Sequence, residues 1–166
     1  MAAVSVKLGN IGSHWTTACK QAVSDLNSLF RRKGIRVTLA VNGAGPTISV
    51  RTDPSIGGTA VHGKTSAETD GAGKLLRADV RLPVKLTISA PKGIRDAGTG
   101  MAEVIAAHEF VHALGHEPHN SHLMAQTWNK VLGDRAAGDK LQAGALAMPP
   151  LELSDESVDM LKGIWT

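Results

Sequence analysis

The stretch HEFVHALGHEPHNSHLM, residues 108–124, holds five of the chain's seven histidines and sets a glutamate directly behind the first. Neutral imidazole nitrogens are natural zinc ligands. On a helix, His108 and His112 share one face about one turn apart and can reach a common ion. Glu109, beside the first ligand, can lean toward the ion's open position without occupying it. There it can take a proton from bound water, whose pKa zinc lowers to about 7, and pass it to a leaving amine. With seven His and six Glu in 166 residues, chance supplies an HExxH spacing only about 0.01 times.

A catalytic zinc site takes three protein ligands and keeps one position open. Gly115 indicates where a third comes from: a glycine just past a helix end adopts the left-handed conformation and turns the chain sharply. A histidine a few residues later can then return beneath the ion, and His116, His119 and His122 are the candidates.

These residues need elements to hold them. Residues 14–33 carry Trp15, Ala18, Cys19, Ala22, Val23, Leu26, Leu29 and Phe30 at helical spacing, with Ser13 as the expected N-cap and Gly34 as the stop. The period then changes to two. Strands are expected at 35–41, 47–51, 57–63, 77–83 and 84–90, with a polar loop between the third and fourth. From Met101 to Leu114 the pattern is helical again, with Val104, Ile105, Val111 and Leu114 apolar. Residues 123–149 are rich in Ala and Gly with weak helical periodicity. In 153–165 a last helix is expected, with Ser154 as cap, Asp155 and Glu156 at the positive end of its dipole, and Val158, Leu161 and Ile164 facing inward. The reading is one α+β domain over residues 1–166: a small mixed β-sheet, a long first helix, a metal-binding helix and a C-terminal helix.

Composition narrows the function. The 42% hydrophobic and 20% charged content suits a globular protein, and the 3% aromatic content implies an aliphatic core. The net charge of +3 is not concentrated, Arg31, Arg32 and Lys33 forming the densest basic group, so no nucleic-acid partner is expected. Cys19, the single cysteine, cannot form an internal disulfide and reads as buried. No secretory leader or membrane span is legible, so a chain made as a soluble cytoplasmic protein is expected, released by another route if it acts elsewhere.

HEFVHALG is similar to the zinc helix of the metzincin metallopeptidases, and most to the matrixin branch, whose pattern HExxHxxGxxH is followed by a methionine in a tight turn. The order of elements and the closing LSDESVDMLKGIW also resemble that branch. The resemblance implies a zinc-dependent endopeptidase acting on protein or peptide substrates, with one catalytic Zn²⁺ held by His108, His112 and His119 and with Glu109 as general base. Family spacing puts the third histidine at position 118, which here is Pro118; His119 lies one residue later, in a loop that absorbs an insertion. Met124 is the preferred methionine of the turn and Met148 the other candidate. By the same resemblance, Gly58, Thr59, Ala60 and Val61 would pair with substrate backbone, a strand addition that reads side chains weakly. An ordinary strand bent by glycine is an equal reading of that segment, and His62 reads as a surface residue.

Three other functions fit parts of the pattern. A gluzincin-type site would draw its third ligand from Glu152 or Glu156. A zinc hydrolase could act on another substrate, such as RNA or a formylated terminus, although RNA-processing enzymes of similar spacing lack the glutamate after the first histidine. A structural or virion component would close the zinc shell with a fourth protein ligand, for example with both His116 and His119.

Overall fold

A computed structural model describes residues 1–56, 63–90, 93–125 and 151–166. Its first element is a strand, β1 (Ala2–Leu8), in which Val4, Ser5 and Val6 are buried in succession, as in a strand covered on both faces. Helix α1 (Gly12–Lys33) follows, then β2 (Val37–Val41), β3 (Thr47–Thr52), β4 (Lys64–Thr69) and β5 (Leu75–Leu82). These strands form a mixed five-stranded sheet in the order β2-β1-β3-β5-β4, parallel except for β4, which runs antiparallel to β5 at one edge.

Helix α1 buries the eight residues that its apolar stripe predicts. Trp15 donates its indole N–H to the Pro83 carbonyl at 2.8 Å, and the Asn27 amide bonds both the N–H and the C=O of Leu39 in β2 at 2.8 Å. Ile11, not Ser13, stands at the N-cap position, and no side chain caps the helix. Ser13 lies inside the first turn because the helix starts directly from the Gly9–Ile11 turn that leaves β1. At the other end Gly34, at φ 73°, closes α1 as expected, its N–H on Arg31 and the next N–H on Phe30.

The strand pattern is corrected in three places. β1 adds a strand at the N-terminus, where the sequence pattern predicts none. The polar segment expected as a loop before β5 forms β4, which is almost wholly exposed and is held by β5, with Glu68 opposite Arg77 in a two-armed ion pair at 2.7 Å. The last expected strand is β6 (Thr87–Ala90), and it leaves the main sheet to pair with β7 (Gly93–Asp96) in a separate two-stranded ribbon. The strand expected at 57–63 lies almost entirely outside the described residues.

Helix α2 (Thr99–Ala113) is buried nearly all round, from Gly100 and Met101 to Val111 and Ala113, His108 and Glu109 included. A helix so enclosed is a central element rather than a surface one. It packs against α1 and also touches β4 and β5. The closing helix, α3 (Asp155–Ile164), has Ser154 as its N-cap and Asp155 and Glu156 in its first turn, and it buries Val158 and Leu161. One hydrophobic cluster runs from Val4 through α1, the sheet and α2 to Trp165.

Candidate metal centre

The end of α2 is built to turn. Gly115, at φ 105°, donates to the His112 carbonyl at 3.0 Å, while the His116 N–H reaches back to Val111 at 3.3 Å. This paired closure satisfies the helix's last carbonyls and requires a residue tolerant of positive φ. A side chain at 115 would also meet the Gly73 carbonyl at 2.9 Å and Ile164 at 3.0 Å, so glycine is needed for space as well. Beyond the turn the Glu117 N–H donates to the Gly115 carbonyl at 3.1 Å.

The turn brings His119 back to the two helical histidines. The Nε2 atoms of His108 and His112 are 3.0 Å apart, and those of His112 and His119 are 3.1 Å apart. All three candidate ligand atoms lie within 4.8 Å of one another, with His108 buried, His112 half-buried and His119 exposed. The inner two are thus fixed in the protein while the third closes the site from the solvent side.

The opposite ring nitrogens decide the chemistry. Nδ1 of His108 meets the Leu123 carbonyl at 2.6 Å, and Nδ1 of His112 meets the His116 carbonyl at 2.7 Å. A carbonyl can only accept, so in the neutral rings both Nδ1 atoms carry the proton and both Nε2 atoms present unprotonated lone pairs. Two lone pairs facing at 3.0 Å repel unless a cation lies between them or one ring is protonated. Protonation is opposed chiefly by burial, which pushes His108 down to about 3 and His112 down to about 4 against the pull of the carbonyl hydrogen bonds. The donor set therefore fits a metal ion: a tetrahedral ion with bonds of about 2.0–2.1 Å holds nitrogens about 3.3–3.4 Å apart, close to the spacing of the two pairs that share His112.

Glu109 lies on the same turn of α2, buried, with its carboxylate accepting from the Thr65 hydroxyl of β4. Burial raises its pKa to about 7, and the Thr65 bond opposes part of that rise. The backbone entering β4 covers the carboxylate so closely that a Cβ at Gly63 would lie 3.0 Å from its Oε1. Thr65 was missed in the sequence because it falls in the segment expected as a loop, and nothing local marks it.

The remaining expected residues sort clearly. Leu123 and Met124 are buried in a short 3₁₀ turn (His122–Met124), and the Met124 carbonyl accepts the Asn120 N–H at 2.9 Å. His122, at φ 56°, meets the Ser121 hydroxyl through its Nδ1 at 2.8 Å. His116 is buried beneath the turn. Neither His116 nor His122 joins the group of three, and nor does Glu156. Glu152 is engaged by Arg32 at 3.1 Å and by Lys33 at 3.0 Å. Gly58, Thr59, Ala60, Val61, His62 and Met148 lie outside the described residues.

Searches of protein-family models and of curated proteins found no match to the chain. Among the described residues, no helix is long and apolar enough to cross a membrane.

Proposed function

We propose that the protein is a zinc-dependent endopeptidase in which His108, His112 and His119 hold the ion and Glu109 is the general base. The observation that carries this reading is the convergence of the His108, His112 and His119 ring nitrogens at the end of the helix that also carries Glu109, a buried carboxyl group held by Thr65. A zinc ion bound there would lower the pKa of a water ligand to about 7 and polarise a peptide carbonyl.

Glu109 then does the proton work. Its carboxylate takes a proton as the water attacks and returns it to the departing amine, so one residue serves first as base and then as acid. The Thr65 hydroxyl fixes one carboxylate oxygen, Oε2. Nearby, β4 forms the antiparallel edge of the sheet, where an extended peptide could add as a further strand. The group gathered among the described residues is three histidines, the ligand number of a catalytic zinc site.

Glu109→Ala provides the test. The variant should bind one equivalent of zinc as the parent does and lose hydrolysis of casein. Cleavage at the parent rate would rule the mechanism out.

A further inference from the structure

Helix α3 grips the turn between the second and third histidines from both sides. At its N-terminal end, the Asn120 side chain donates to the hydroxyls of Ser157 at 2.9 Å and Ser154 at 3.2 Å. Ser154 is also the helix cap, and Ser157 is fully buried. Asn120 immediately follows His119. At the far end, buried Trp165 donates its indole N–H to the Leu114 carbonyl at 2.9 Å, at the last turn of α2 just after His112. Beside it, Ile164 lies where a Gly115 side chain would be. A third strut precedes the helix: the Leu123 N–H donates to the Glu152 carbonyl at 3.0 Å, and the Leu123 carbonyl orients His108.

The local turn alone does not fix the third ligand. His119 is exposed, and the backbone around it gains its register from Asn120. Each end of α3 thus holds one margin of the segment 114–120, and the helix sets the distance between the imidazoles at its two borders. We infer that α3 is a clamp on the metal centre, with Asn120 and Trp165 as its positioning residues, so that metal binding and docking of α3 are energetically coupled. Coupling of this kind is reciprocal: a docked helix tightens metal binding, and a bound metal tightens helix docking by the same factor. The inference rests on the three-histidine centre and not on peptidase activity.

Two measurements on the full chain test it, with Zn²⁺ as the probe. Amide exchange across residues 155–164 should slow when zinc is added to the unmodified protein. By competition with a chromophoric chelator, Asn120→Ala and Trp165→Phe should bind zinc about 10- to 100-fold more weakly, the range expected when groups that orient ligands are removed. Val50→Ala, a core substitution in β3, should destabilise the fold and leave zinc affinity unchanged. Zinc binding by the parent with no change in α3 exchange would overturn the inference while leaving the metal centre standing, as would parent affinity in Asn120→Ala. Failure of the parent itself to bind zinc would remove the metal centre and the clamp together. The exchange measurement needs no variant, so it decides even if Asn120→Ala does not fold.

Discussion

Thr65 and Glu109 stand 44 positions apart in the chain, and the hydroxyl of the first donates to the carboxylate of the second. The contact joins the edge strand of the sheet to the helix that carries His108 and His112. Thr65→Val keeps the shape and removes the donor, so zinc affinity should hold while kcat for peptide hydrolysis falls about tenfold, a fraction of the general-base contribution. Thr65→Ser should restore the rate. A fall in zinc content in place of kcat would mean that Thr65 supports the helix rather than the carboxylate.

The ligand set can be read by metal analysis of single variants. His108→Ala, His112→Ala and His119→Ala should each lose zinc on dialysis, and His122→Ala and Glu156→Ala should retain it. Retention in His119→Ala with loss in Glu156→Ala would replace the third histidine with a carboxylate.

Glu103, at the first turns of α2, offers a pH test away from the histidine cluster. Burial, together with a hydrogen bond and charge repulsion from Asp25 of α1, raises its pKa to about 8 from a usual 4.5. The folded state therefore holds a proton that the unfolded state gives up. The group's contribution to stability is complete below pH 4.5 and is lost as pH rises through about 8. Glu103→Gln keeps a donor toward Asp25 and removes the titration. Its Tm relative to the parent should rise from pH 5 to about 8 and level off above that, whereas a constant difference would exclude the effect.

Cys19 is fully buried in α1, and burial pushes its thiol up to about 12. A thiol in that state is neither exposed nor ionised, so a chromogenic disulfide reagent should react only as the protein unfolds. Cys19→Ser buries a hydroxyl in an apolar site and should cost about 1–3 kcal/mol in denaturant titrations.

Legibility followed the strength of local pattern. Helix α1 was readable to the residue on its buried face because a stripe of period 3.6 needs no partner to declare itself, and Gly34 and Gly115 were readable as stops because positive φ selects glycine. Strand β4 was not, since KTSAET has no apolar face and its strand form comes from pairing with β5. Strand β1 alternates Val with Ala and Ser too weakly to declare a strand, and its place inside the sheet comes from pairing with β2 and β3. Within the site, His108, His112 and Glu109 follow from helix geometry. His119 needed a resemblance, and the turn that seats it is visible only in three dimensions. Thr65 and Trp165 had no signal at all, because each acts across more than forty intervening residues.

That last contrast bears on the order in which the centre forms. The three histidines and the two carbonyls that orient His108 and His112 all fall between residues 108 and 123, so a first gathering of the imidazoles asks for the closure of one short loop, which costs little chain entropy, and leaves α3 to set the third in place. The Thr65 contact to Glu109 asks for the assembled sheet, and such distant pairings form slowly. On the proposed reading, gathering of the ligands and placement of the Glu109 carboxylate are thus separable in folding time, and a half-folded chain would bring its histidines together before it has the strand that holds Glu109.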